Sequence, residues 1–347
     1  MVTLEDIAQQ AGVSHSTVSR ALANSHLVKP ETRERIQRLA SEAGYQVNQV
    51  ARNLKARSTK TIGLIVPEVS NPYYPKLIQK VANLVSASGF CLNLQLSGAG
   101  QESEANCLAS LREQRVDGIL LVTAEHGLVA RSQVDTLVAA RVPIVLMGWV
   151  EGADHVDMIT GDDAAGGFEL ANYLLGLGHR RIAIIGKPPH RGNFDRIHGF
   201  ERALSAAGVQ LPDESRLAAV GEEGVQRSVT QLLDQMDPPT AIFAYQYSLA
   251  ALVYKHLGIA GVSIPSEMTV AGFDDLDLAT YLNPPLTTVG THIEPLASAF
   301  VRLLLERIQL KTEPSCPQHI VITTRLVVRA SCAPPRQSAL DLSPTAT

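Results

Sequence analysis

The chain has 347 residues, of which 45% are hydrophobic and 18% charged; this balance excludes a disordered or fibrous polypeptide, and the length allows two or three domains. A net charge of −4 excludes a uniformly basic binder of polyanions. The charge is uneven: residues 1–60 hold nine Lys/Arg against five Asp/Glu, a surplus of +4 that leaves −8 on the rest, so only the head is suited to meet a polyanion.

Leu4, Ile7, Ala8 and Ala11 fall at i, i+3, i+4 and i+7, one face of a helix. Gly12-Val13-Ser14 breaks that pattern: Gly12 can take positive φ for a tight turn, and Ser14 can cap the next helix. The next apolar face is Val18, Ala21 and Leu22, and the opposite face carries His15, Ser16, Ser19 and Arg20. Two short helices joined by a glycine-containing turn form a helix-turn-helix pattern. A third helix starts at Pro30, is apolar along Ile36, Leu39, Ala40 and Ala43, and closes at Gly44. By periodicity alone, these residues are either a small helical cap or a DNA-reading head. The segment QVNQVARNLKARSTK (46–60) is polar and basic and reads as a linker, yet Val50, Ala51 and Leu54 can line one side of a short helix. An exposed Leu there has little to bury in the free protein; a minor-groove wedge would give it a burial site.

The runs TLEDIAQQAGVSHSTVSRAL, ETRERIQRLASEAGY and NQVARNLKARSTKTIGLIVPEVSNPYY resemble the LacI/GalR family of bacterial transcriptional regulators, and the likeness continues to about residue 330. The resemblance implies that His15, Ser16 and Arg20 face the major groove, where an Arg suits a bidentate guanine contact, and that Ser14 and Thr17 touch phosphates. It also implies a hinge helix over 48–55, formed on DNA, which brings Asn48, Ala51, Leu54 and Lys55 to the duplex with Leu54 as the intercalating wedge. Two departures stand out: Val47 occupies a usual Pro position, and Lys29 a usual Ser cap of the third helix.

From Thr61 onward, apolar runs at 61–66, 91–96, 118–123, 143–147, 158–160, 181–185, 241–245 and 269–273 read as buried parallel strands. Amphipathic stretches lie between them, for example at 77–88, 104–115, 165–177, 199–207 and 249–257. This alternation predicts an α/β body of two doubly wound parallel-sheet lobes behind an all-α head, an architecture shared with periplasmic binding proteins. The expected division is a head at 1–46, a hinge or linker at 47–60, an N-terminal lobe at 61–160 and 292–320, a C-terminal lobe at 161–291 and 321–332, and a disordered Pro- and Ser-rich tail at 333–347.

Ligands bind such sheets at the carboxyl ends of the strands. There the chain places SNPYY (70–74), whose Tyr73 and Tyr74 either stack on a ligand or are partly buried loop rings. After RIAII come Lys187, Arg191 and then Arg196, which either forks onto a ligand or pairs with Asp195 at the surface. After TVAGF come Asp274, Asp275 and Asp277, either a ligand-binding carboxylate or a helix cap, with Asp275 the better cap. The family resemblance implies effector contacts for Tyr73, Tyr74, Arg196 of RIHGF and Asp274 of GFDD. Where the family usually has Asn-Asp, this chain has Gln246-Tyr247, and the usual acid after residue 160 is Gly161, followed by Asp162. Asp162, Gln246 and Tyr247 therefore complete the expected effector set. Fewer acids beside Arg196 lead to the expectation of an anionic effector, a sugar acid or sugar phosphate, over a neutral sugar.

Other chemistry has little behind it. SGAGQES (97–103) half-matches a dinucleotide loop, with Ser103 in place of the third glycine. The sequence has no Walker loop, HExxH or GxSxG, and its ten histidines show no metal spacing, so no enzyme activity, cofactor or metal is expected. Cys91, Cys107, Cys316 and Cys332 form no CxxC pair and fit reduced thiols. No run reaches a membrane span, and the first residues show no signal peptide, so a cytoplasmic location is expected. The expected partners are double-stranded operator DNA, a small effector and a second copy in a C2 dimer, with ligand-controlled repression as the function. A solute-binding protein and a sugar-modifying α/β enzyme are the other classes.

Overall fold

The structure of the protein is a computed structural model that describes residues 2–22, 24–45, 58–98, 100–123, 131–148, 150, 152–186, 191–310 and 316–336, without the side chains of 191–194. Residues 1–59 and 60–347 form two compact units.

The head has three described helices, α1 (Leu4–Ala11), α2 (His15–Leu22) and α3 (Pro30–Glu42). Thr3 starts α1 through a reciprocal cap: its Oγ1 accepts the Asp6 N–H at 3.3 Å, and Asp6 Oδ2 accepts the Thr3 N–H at 2.8 Å. Gly12 ends α1 at φ 63°, the left-handed conformation the turn requires. Ile7, Ala8, Ala11, Val18, Ala21, Val28, Ile36 and Ala40 bury together as the core of this unit. Arg35 ties α3 to the turn by donating to the Ala11 carbonyl at 2.9 Å. Lys29 gives α3 no side-chain cap, so its start rests on Pro30 at the first position and Glu31 in the first turn. The hinge residues Asn48, Ala51, Leu54 and Lys55 lie outside the described residues.

The body contains two six-stranded sheets. The first, in order β11-β5-β4-β3-β1-β2, is built from β1 (Thr61–Val66), β2 (Cys91–Leu96), β3 (Gly118–Val122), β4 (Ile144–Met147), β5 (Asp157–Gly161) and β11 (His319–Ile322). The second, in order β12-β10-β9-β8-β6-β7, is built from β6 (Ile182–Gly186), β7 (Arg216–Ala218), β8 (Ala241–Ala244), β9 (Thr269–Phe273), β10 (Thr287–Thr291) and β12 (Thr324–Val327). The strand pairs are parallel except for β10 with β12. Apolar strands such as ILLV and AIFA are buried on both faces by helices, which is why they read as unbroken hydrophobic runs.

Three points go beyond the sequence reading. The run 91–96 is an edge strand with Leu94 and Leu96 exposed, because β2 pairs only with β1. A further strand, β10, follows β9 and leads into helix Ile293–Leu310 on the first sheet. The chain then returns through β11 in one sheet and β12 in the other. Arg307 secures this return with a bidentate pair to buried Asp157 at 2.7 and 2.8 Å, while Asp157 also accepts the Gln318 N–H. Ala333, at the start of the expected tail, is held by Thr269 and His179.

Candidate functional site

Arg196 stands at the centre of a largely buried charge cluster. Helices Asp163–Gly176 and Arg191–Ala206 meet through glycines: a Cβ on Gly167 would overlap the Arg196 carbonyl, and one on Gly199 would overlap the Ala164 carbonyl. This backbone approach brings the start of one helix beside the guanidinium on the other. Arg196 Nε donates to Asp163 Oδ2 at 2.7 Å, and its Nη1 lies 3.1 Å from Asp274 Oδ1 and donates to the Tyr245 carbonyl at 3.1 Å. Its plane lies over the Phe273 ring, 4.0 Å from the centroid. The Arg196, Asp163 and Asp274 side chains are 19%, 15% and 10% exposed, so water screens the cluster weakly.

Burial works against the charge of Arg196, but the two carboxylates outweigh it and hold the guanidinium protonated. Asp274 is pushed above the usual carboxylate range by burial; Arg196 opposes the shift and the like charge of Asp163 adds to it. Asp274 also sits in left-handed backbone at φ 71° and accepts the Tyr247 N–H. That conformation is uncommon for a residue with a Cβ and marks a position constrained by its surroundings.

Tyr73 and Tyr74 open helix Tyr73–Ala87 on the first sheet, their rings edge-to-face at 5.6 Å and 81°. Burial, and then the charge of Asp274, raises both phenols, Tyr74 to about 12, so both stay protonated hydrogen-bond donors. The field of Asp274, in the C-terminal lobe, thus acts on tyrosines of the N-terminal lobe, and the lobes meet here. Tyr247 packs against the apolar clusters of both sheets, and its hydroxyl donates to the Leu278 carbonyl at 3.2 Å.

The structure therefore brings together Tyr73, Tyr74, Arg196, Asp274 and Tyr247. Gln246 is half-buried at the start of helix Tyr247–Ile259. Asp162 is the cap of helix Asp163–Gly176, its Oδ1 accepting the Ala165 N–H at 3.0 Å. Asp163, absent from the expected set, reaches Arg196 together with Asp274, and its place as the second acid of GDD at a helix start is the signal it carries in sequence. Asp275 is not a helix cap; its Oδ1 accepts from Arg329 Nη2 at 2.6 Å. The three acids of DDLD each take a different cation, Asp274 with Arg196, Asp275 with Arg329 and Asp277 with Lys76. Lys187 and the Arg191 side chain lie outside the described residues.

In the head, His15, Ser16 and Arg20 are exposed on α2, opposite buried Val18 and Ala21. Ser14 Oγ lies 2.9 Å from both Ser16 Oγ and Thr17 Oγ1 and accepts the Thr17 N–H at 3.3 Å, so it caps α2. Among the described residues, no helix is long and apolar enough to cross a membrane, and no group of three or more His, Cys, Asp or Glu could hold a metal.

Comparison with known proteins places both units. Residues 3–48 match the lacI family of bacterial regulatory proteins, and residues 171–332 match the periplasmic binding protein-like domain. The ribose operon repressor of Haemophilus influenzae is 33% identical over 326 residues, 91% of this chain and 97% of that protein. A solved complex of the transcriptional regulator CelR with cellobiose is 30% identical at a TM-score of 0.70, covering 95% of this chain and all of the other. The lac repressor dimer bound to operator and the anti-inducer ONPF shares the fold at a TM-score of 0.85 and 22% identity, over 96% of this chain and 99% of that one. With a polar, exposed face of α2 on one unit and two wound sheets on the other, the chain belongs to the lacI family of bacterial regulatory proteins.

Proposed function

We propose that this regulator represses genes of carbohydrate use, and that a neutral, hydroxyl-rich effector bound between the lobes at Arg196 and Asp274 changes its grip on a pseudo-palindromic operator. The observation that carries the effector class is the pairing of Arg196 with two carboxylates. Among the described residues, one buried cation stands between two acids and leaves no surplus positive charge at Arg196 for a sugar acid or phosphate, which favours a neutral ligand. Carboxylates and a guanidinium held by fixed partners suit sugar hydroxyls, which both donate and accept, and Tyr73 and Tyr74 add protonated phenols and ring faces. Relatives named for ribose and solved with cellobiose favour the same class.

In this reading the chain comprises a head at 1–46, a hinge at 47–60, two lobes and a tail, and works in the cytoplasm as a dimer. Two heads then match the symmetry of the operator. His15, Ser16 and Arg20 read the major groove, Ser14 and Thr17 meet phosphates, and Asn48, Ala51, Leu54 and Lys55 form the hinge contact. Ligand acts by its different affinity for two lobe arrangements, with a coupling of about 1–3 kcal/mol. Fluorescence anisotropy of the full-length protein on its own promoter and on a scrambled duplex tests this, with ribose, cellobiose, gluconate and glucose 6-phosphate added in turn. The expected result is preference for the promoter, altered by a neutral sugar. A response confined to gluconate or the phosphate ester would overturn the effector class.

A further inference from the structure

The short segment after Asp274 makes contacts in both lobes. Leu276 follows β9 of the second sheet, yet it is buried at 3% exposure within the apolar cluster of the first sheet, with Leu77 and Val81 of helix Tyr73–Ala87 among its members. Asp277, the next residue, pairs with Lys76 of the same helix at 3.2 Å through both carboxylate oxygens. The Leu278 carbonyl accepts from Tyr247, whose ring spans both apolar clusters. The segment is also fixed to its own lobe: Asp275 pairs with Arg329, and the backbone at Asp275 packs so closely on Gly290 that a Cβ there would overlap it. Its turn is held by the Ala279 N–H to the Leu276 carbonyl at 2.9 Å.

We infer that residues 276–280 are a strap that fastens the C-terminal lobe to helix Tyr73–Ala87, with Leu276 as an apolar plug and Lys76–Asp277 as an ionic latch. Asp274 of the ligand site lies two residues before the plug, in constrained backbone. A ligand that reorients Asp274 therefore moves Leu276 in its socket, and the fastening of the lobes responds to occupancy of the site. Packed apolar contacts of this kind hold one of two discrete arrangements and do not deform smoothly.

Hydrogen exchange of the free full-length protein tests the strap without DNA or ligand, so its result is separate from the functional reading. Leu276→Ala is expected to raise exchange at least ten-fold in residues 276–281 and at least two-fold across 73–81 of the opposite lobe, with helix Gly221–Leu233 unchanged. Asp277→Lys, at an exposed position that does not threaten folding, is expected to raise exchange at least two-fold in the same two segments. The exchanged pair Lys76→Asp with Asp277→Lys is expected to return both to within two-fold of the native protein. A rise shared equally by the Gly221–Leu233 helix, or no change across 73–81 in Asp277→Lys, would overturn the strap. Should Leu276→Ala fail to fold, Asp277→Lys and the exchanged pair decide alone.

Discussion

Asp163 takes the Nε–H of Arg196 at 2.7 Å, so the first turn of one helix neutralises the central cation of the next. The same guanidinium lies 3.1 Å from Asp274. Removing it strands two carboxylates where water reaches them poorly. Arg196→Met is expected to lower the unfolding free energy by about 3–5 kcal/mol in urea titration at neutral pH. The loss should shrink on acidification. Burial already raises the folded-state pKa of Asp274, and loss of the cation raises it further, so protonation favours the folded variant as pH falls from that raised value toward the ordinary carboxylate range. A loss that is the same at neutral and acid pH would show that the stranded carboxylates are solvated.

The Arg196–Asp163 contact exists because Gly167 and Gly199 let two helix backbones approach. An added methyl at either position meets a backbone carbonyl, which cannot rotate away. Gly199→Ala is expected to cost about 1–3 kcal/mol or more by overpacking and to weaken ligand binding, since Arg196 shifts with its helix. Gly258→Ala, in a helix where an added Cβ meets nothing within 4 Å, is expected to be neutral or to gain up to about 1 kcal/mol. Equal melting temperatures for the two variants would sink this reading of the crossing.

Much of this architecture is legible in the residues for identifiable reasons. Apolar runs mark eight strands, and the glycine turn between α1 and α2 marks the head. The strands β7, β10, β11 and β12 are not legible this way: RLA, HIVI and TRLV are short, half-exposed strands at sheet edges, and TTVGT is mostly Thr and Gly. In the site, Arg196 and Asp274 were legible as charged residues after strands. Asp163 was not, because the choice between Asp162 and Asp163 depends on how far the helix has turned when it meets Gly199. The expectation of an anionic ligand rests on counting acids near Arg196 in sequence, a count that did not include Asp163.

His179 gives the fold a pH dependence of known sign. It is 1% exposed; Nε2 lies 2.9 Å from the Ala333 carbonyl, which can only accept, so Nε2 carries a proton, and Nδ1 lies 2.8 Å from the Thr240 hydroxyl oxygen. Burial lowers its pKa below the ordinary value near 6.5, with the Ala333 bond opposing. A depressed base adds stability above the unfolded pKa, and this is lost as pH falls from about 6.5 toward the lowered value. His179→Gln should therefore be less stable than the native protein at pH near 7.5, and the gap should narrow by pH near 5.5. Urea midpoints at the two pH values read it directly; a constant gap would mean that His179 does not titrate in this range.

Arg20 is exposed on α2, on the side away from Val18 and Ala21, so truncating it leaves the head core intact. If it forks onto a guanine edge, Arg20→Ala should weaken binding to the protein's own promoter by about 1–3 kcal/mol, and substitutions at one base pair of each half-site should then cost the variant almost nothing. If it meets only phosphate, affinity should fall alike on promoter and scrambled duplex, and the slope of log affinity against log salt should drop by about one per head. The two cases differ in whether discrimination or only grip is lost, so titrations on both duplexes at two salt concentrations separate them. The surplus of +4 in the first sixty residues predicts a steep salt slope in either case. Retained base discrimination in Arg20→Ala would move the reading role to His15 and Ser16, the other exposed side chains at the start of α2.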